Sequence, residues 1–213
     1  MLDEWIHTFV VLFVVIDPIG LAPIFAALTP GDNSSYRKHM ALKGAGIAAL
    51  ILFGVMLVGD LVLGWLGIGL PAFRIAGGVL LFLLAIDMVF ARRSGLQGTT
   101  ALEQQEAERS ADISVFPLAF PLIAGPGAIT TTLLMTAGDA DWMMVYIRLF
   151  VVLLAVLLLT LASLLLASHI ARLLGETGTN VISRLLGLVL AALAAQFVLD
   201  GLQASFALLR SAP

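Results

Sequence analysis

Cysteine is absent from this 213-residue chain, which excludes disulfides and all thiolate chemistry. Histidine is nearly absent. His7, His39 and His169 lie near the ends of different apolar runs and share no metal-ligand spacing, so neither a metal nor another cofactor is expected. Charge is scarce too, at 12% of residues against about 25% in a soluble domain. A net charge of −3 with no long basic run leaves nothing to hold a polyanion, which excludes nucleic acid as a partner. No paired acids, His-rich cluster or nucleophile–base arrangement falls in one plausible plane, so the chain does not read as an enzyme.

What the chain has instead is apolar length. Hydrophobic residues make up 61% of it, and the mean hydropathy is +1.08. From Trp5 to Gly31 the only charged residue is Asp17, and Ile113 to Gly138 and Leu149 to Ala171 contain none. Each run can cross about 30 Å of hydrocarbon at about 1.5 Å per residue. The first run follows Asp3 and Glu4 rather than a basic segment, and is about twice the length of a signal-peptide core, so it reads as a retained span. Six spans are predicted, near 7–28, 41–64, 68–90, 115–137, 145–167 and 181–203. Merging the second and third would force one helix across Gly64, Gly67, Gly69 and Pro71. The expected fold is an all-α polytopic membrane protein forming a single membrane domain over 1–213.

The basic residues set an expected direction. With the N-terminus outside, Arg37, Lys38, Lys43, Arg92, Arg93, Arg109, Arg172 and Arg184 fall on the cytoplasmic side, leaving Arg74, Arg148 and Arg210 outside. Both termini are therefore expected on the periplasmic or extracellular side.

Two landmarks repeat. Asp17-Pro18 lies over Gly125-Pro126 at an offset of 108, and Arg74-Ile75-Ala76-Gly77-Gly78 over Arg184-Leu185-Leu186-Gly187-Leu188 at 110. The chain reads as a first three-helix unit over 1–92, a cytoplasmic linker over 93–114 and a second unit over 115–213. Three helices is an odd number, so the copies must enter the membrane from opposite sides, as in the inverted repeats of several secondary transporters.

Both copies open on an interrupted helix. Pro18, Gly20 and Pro23 break the first, and Pro117, Pro121, Gly125, Pro126 and Gly127 break the fourth. Proline removes a backbone donor and clashes with the preceding turn, so this density predicts locally unwound backbone. Unpaired backbone groups facing lipid cost several kcal/mol each, so the breaks are expected to face a polar cavity or each other. Free N–H groups can hold a carboxylate and free carbonyls an ammonium. Thr130, Thr131 and Thr132 could add hydroxyls, and Thr29 reads as a cap.

Asp17 carries two readings: a contact for a ligand ammonium or a protonatable coupling group, and an Asx-type cap on the N–H of Ile19 or Gly20. Asp87 could line a cavity or reach the interface beside Arg92 and Arg93. Gln196 could bond between helices or to solute. Gly187, Ala191 and Ala195, with Gly44, Ala48, Gly46 and Gly54, form small-residue ridges that suit close packing inside the bundle or a homo-oligomer.

The segment Asp17-Pro18-Ile19-Gly20-Leu21-Ala22-Pro23-Ile24-Phe25 and the segment Pro121-Leu122-Ile123-Ala124-Gly125-Pro126-Gly127-Ala128-Ile129-Thr130-Thr131 resemble the hallmark motifs of the MarC family. Gly77-Gly78-Val79-Leu80-Leu81-Phe82 and Arg184-Leu185-Leu186-Gly187-Leu188 extend the resemblance over the whole chain. It implies a six-span protein of the bacterial inner membrane that transports small neutral amino acids such as glycine and alanine with protons. The substrate site implied lies along Asp17 to Pro23 and Gly125 to Thr131. Leu21 departs from the pattern, because many relatives carry Asn there. The expectation is alternating access by rocking of the two repeats, with a channel or a non-transporting accessory protein as the alternative.

Overall fold

The computed structural model describes residues 2–29, 31, 33–91, 112–136 and 142–211. The predicted linker lies outside the described residues except at 112–114. The described residues are helical throughout their regular structure: α1 (Leu2–Ile16), α2 (Pro18–Leu28), α3 (Ser34–Trp65), α4 (Leu70–Phe90), α5 (Ser114–Ile123), α6 (Pro126–Thr136), α7 (Trp142–Leu165) and α8 (Ala167–Ser211). Five stretches are long and apolar enough to cross a membrane: Leu2–Leu28, Ser34–Gly59, Leu70–Phe90, Met143–Leu165 and Thr177–Ala207. The pair α5 and α6, bent by 55°, makes a sixth if counted as one span.

Local chemistry places several ends. Asn33 caps α3 by accepting the Ser35 N–H at 3.2 Å. Pro71 stands in the first turn of α4, where its missing donor costs nothing. The stretch left between the fifth and sixth predicted spans, 168–180, is helical in the structure and interrupted at one residue. Gly175, inside α8, takes φ 61° and ψ −178°, a conformation open essentially to glycine alone. The spanning part of α8 starts two residues later, at Thr177.

The helices pack in a crossed pattern. The most extensive pairing is α4 with α8. Next, α5 and α6 lie on α3, α1 and α2 on α7, α2 on α8 and α6 on α4, while α3 meets α7 and α1 meets α6. A Cβ on Gly201 would lie 2.8 Å from the Pro71 carbonyl oxygen, one on Gly78 2.7 Å from Val198, and one on Gly187 2.7 Å from the Met88 Cβ. As α8 advances its contacts on α4 recede, so the two helices run antiparallel.

These contacts correct the predicted ridge. Ala195 is exposed, and the close-packed positions are Gly187, Ala194 and Gly201, seven residues apart. Steps of seven hold one face of a helix with a drift of about 20°, whereas a ridge stepped by four winds away from a nearly straight partner. On α3, Gly44 packs against Leu118 and Ala48 is fully buried, but Gly46 and Gly54 face open space.

Ion pairs tie the helix starts. Glu4 on α1 pairs with Arg148 on α7, and Asp112, just before α5, pairs with Lys43 on α3. Hydrogen bonds from Lys43 and from Ser114 hold the Asp112 carboxyl well below the usual carboxylate range. A depressed folded-state pKa means that the stability from this pairing is fully present above about pH 3.9, the ordinary value for Asp, and is lost as pH falls from there through the lower folded-state value.

Candidate functional site

The first break occupies one residue. Asp17 adopts the left-handed conformation (φ 48°, ψ 63°), uncommon outside glycine and tolerated by Asp and Asn. Its N–H still donates to the Phe13 carbonyl, and its carbonyl accepts from the Leu21 N–H, both at 3.0 Å. Pro18 has no N–H to give, and the Gly20 N–H turns to Asp17 Oδ1 at 3.0 Å. The unwound stretch expected here is therefore absent. The carboxylate caps the new helix so closely that the chain is helical on both sides. Gly20 is required by that cap, because a Cβ there would lie 2.1 Å from Asp17 Oδ2. Pro23 sits within α2 without ending it, and Thr29 closes the helix, its hydroxyl donating to the Phe25 carbonyl at 2.8 Å.

The second break is wider. Two four-residue steps, Phe116-Pro117-Leu118-Ala119 and Phe120-Pro121-Leu122-Ile123, each carry a cis X–Pro bond after a phenylalanine in extended geometry. The turns widen to spans of five residues: the Leu118 N–H reaches the Ile113 carbonyl at 3.1 Å, and the Ala124 N–H reaches that of Ala119 at 2.8 Å. The chain then bends at Ala124-Gly125, and α6 starts at Pro126, with the Gly125 carbonyl accepting from Ile129 at 3.0 Å.

The two breaks lie side by side. A Cβ on Gly127 would lie 3.4 Å from Val15 Cγ1, two residues before Asp17, and 2.8 Å from Leu84 on α4. Thr131, one turn along the same face of α6, is fully buried, and its hydroxyl has no hydrogen-bond partner. Thr132 instead donates back to the Ala128 carbonyl at 2.8 Å. Thr130 packs its methyl against Gly77 of α4, at 2.4 Å from where a Cβ would stand.

Chemically the breaks differ. The first carries its own acceptor, since Asp17 is buried and bound to Gly20. Gly125, in the corresponding place, has no side chain to cap the first N–H groups of α6. One break thus offers a carboxylate, the other uncapped helix-end donors beside an unpartnered hydroxyl.

The remaining predicted residues divide. Asp17, Pro18, Gly20, Leu21, Gly125, Gly127, Thr130 and Thr131 are all buried along the two breaks, with Pro23 and Pro126 half-buried. Asp87 is nearly buried on α4, one turn beyond the Leu84 that touches Gly127. Gln196 is elsewhere. It is exposed, and its amide donates to Asp200 on its own helix at 2.7 Å. Sequence reasoning missed Ser183, whose hydroxyl donates to Asp17 Oδ2 at 3.4 Å from α8. A lone serine near a helix start gives no signal of a partner 166 residues away. Among the described residues no group of His, Asp or Glu could hold a metal ion.

Several apolar spans, a bent pair among them, and two interrupted helices meeting in the core define an integral multi-pass membrane protein. The family model for the MarC family integral membrane protein matches residues 2–206. The chain belongs to that family. It is 37% identical over 206 residues to the UPF0056 membrane protein YvbG of Bacillus subtilis, covering 97% of each chain. It is 40% identical over 208 residues to a UPF0056 membrane protein of Archaeoglobus fulgidus, covering 94% of this chain and 93% of that one. With YhcE of Escherichia coli it shares 35% over 202 residues, covering 93% and 91%. No solved structure matches.

Proposed function

We propose that this chain is a secondary transporter of small neutral amino acids, coupled to protons, working by alternating access and built from two inverted three-helix repeats. The observation that carries the reading is the meeting of two chemically complementary breaks in the buried core. A zwitterion fits that pair. Its carboxylate lies at the uncapped start of α6 with the Thr131 hydroxyl, and its ammonium turns toward Asp17. The close approach at Gly127 and the small Thr side chains favour a small solute such as glycine or alanine.

Support for the inverted repeat comes from independent correspondences. α2 and α6 are both 11 residues long and both open on proline, and Pro126 and Thr136 follow Pro18 and Leu28 by 108 positions. The bonds Leu21 to Asp17 and Ile129 to Gly125 obey the same offset. So do Glu4 and Asp112, each paired with a base on the first long helix of the other half. On the seam, Gly187 meets Met88 and Gly78 meets Val198, contacts that exchange under an offset of 110 to within one residue. The positive-inside bias favours both termini on the periplasmic or extracellular side, and the membrane proposed is a bacterial inner membrane.

Liposomes holding the purified protein test the function. Labelled alanine or glycine should enter saturably, and faster down an inward proton gradient; no flux of either sinks the proposal, and conductance without saturation would make the protein a channel. Thr131→Val probes the site itself. A buried hydroxyl without a partner costs about 1–3 kcal/mol, so removing it should leave the unfolding temperature unchanged or raised. Apparent affinity should nevertheless fall roughly tenfold or more, because a hydrogen bond to a charged solute group is worth about 1.5–3 kcal/mol. Unchanged affinity would remove Thr131 from the site.

A further inference from the structure

The two sequence repeats are not the units that pack. In the first half, α1 and α2 make no substantial contact with α3 or α4, nor α3 with α4. The substantial contacts run across the halves. One body gathers α1, α2, α7 and α8, joined by the pairings of α1 and α2 with α7 and α8 and of α7 with α8. The other gathers α3, α4, α5 and α6, joined by α3 with α5 and α6 and by α4 with α6. Each body therefore holds the broken helix of one repeat and the two long helices of the other. The chain passes between the bodies after α2, where Gly31 takes φ +72°, and again between α6 and α7.

Side-chain bonds follow the same division. Glu4–Arg148 and Ser183–Asp17 lie inside the first body, and Lys43–Asp112 lies inside the second. Arg37–Ser168 joins α3 to α8 and so crosses between them. Its guanidinium is poorly satisfied, since Nε is buried without a partner. The principal seam, α4 against α8, is lined by Gly78, Gly187, Ala194 and Gly201, where the helix backbones approach closely.

We propose that the moving parts are these two swapped bodies, α1, α2, α7 and α8 against α3 to α6, pivoting along the α4–α8 seam with the Arg37–Ser168 bond as a latch. The proposal rests on the transport reading for its purpose and on the packing for its geometry. Movement of one sequence repeat against the other would have to break nearly every helix contact in the molecule. Movement of the swapped bodies keeps each broken helix, with its ion pair, on its own support, while the smaller contacts of α3 with α7, α1 with α6 and α6 with α7, which also cross between the bodies, must slide or part. It changes the distance between the two breaks, which belong to different bodies, and so opens or closes the space between Asp17 and the start of α6.

The absence of cysteine makes the full chain suited to paired spin labels in lipid nanodiscs. Ile6→Cys with Leu199→Cys reads the first body, Leu42→Cys with Leu83→Cys the second, and Leu42→Cys with Leu173→Cys the distance across; all five sites are exposed. Pulsed dipolar spectroscopy should give one narrow distance within each body. Across the bodies it should give two populations separated by on the order of a helical turn, about 5 Å. Arg37→Ala should move the balance toward the longer distance. Two populations within either body, or a single across-body distance indifferent to Arg37→Ala, overturns the division. The outcome separates from that of the transport reading. Two across-body populations without amino acid flux would keep the bodies and discard the transporter, whereas flux with one fixed distance would do the reverse.

Discussion

Replacing Asp17 with asparagine should cut proton-driven uptake at least tenfold while leaving the fold intact. The amide oxygen of Asn can still accept the Gly20 N–H, which now donates to Asp17 Oδ1 at 3.0 Å. Asn also tolerates the left-handed backbone at φ 48°. An ionised carboxylate in a span costs about 2.5–3.5 kcal/mol, so losing it carries no stability penalty of its own. The unfolding temperature should therefore move by no more than about 2–4 °C, the equivalent of ~1 kcal/mol in a chain of this size. Loss of the exchangeable proton at the one acid among the break residues should remove the response to a proton gradient. Wild-type uptake with unchanged pH dependence in this variant would show that Asp17 does not couple protons and serves as a cap alone. Gly20→Ala supplies the contrast. It retains the carboxylate but drives it out of place, because the added Cβ would lie 2.1 Å from Oδ2.

The largest loss of stability should come from the seam. A Cβ on Gly78 would lie 2.8 Å from the Ala194 carbonyl oxygen and 3.0 Å from the Val198 nitrogen, and both belong to helical backbone that cannot yield by changing rotamer. Gly78→Leu should therefore cost more than the about 1–3 kcal/mol of ordinary overpacking, since α4 and α8 must separate along their length. Thermal unfolding in detergent reads it directly. Gly46→Ala is the matched control. That position faces open space, and a helical Gly→Ala change should stabilise by roughly 0.5–1 kcal/mol. Equal unfolding temperatures for Gly78→Leu and the wild type would remove the close seam from the account.

The spans and the places of both breaks were legible in the sequence because they depend on local chemistry. Apolar length fixes a span, and proline with glycine fixes an interruption. The form of each break was not legible. Proline density suggested unwinding at Asp17, yet one side chain folded onto Gly20 keeps the interruption to a single residue. In the fourth span Phe116 and Phe120 leave helical geometry as expected, but the turns around them widen and keep their backbone bonds instead of opening fully. Gly175 resembled any other glycine in a connecting stretch, since only its φ marks it. Gln196 and Ala195 show the limit of reading a helix by spacing, because the side of α8 that faces α4 is chosen by α4. The crossed packing and the Ser183 contact join residues far apart in the chain. The repeat offset foretells that such partners exist, but not which helices share a body.

If the two breaks together hold a small amino acid, solute-dependent thermal unfolding of the purified full chain will show it. Glycine or alanine should raise the unfolding temperature progressively. The gain should approach about 2.7 kcal/mol at a hundredfold excess over the dissociation constant, and Thr131→Val should require more solute for the same rise. Superimposable unfolding curves across the whole solubility range of both amino acids would contradict it.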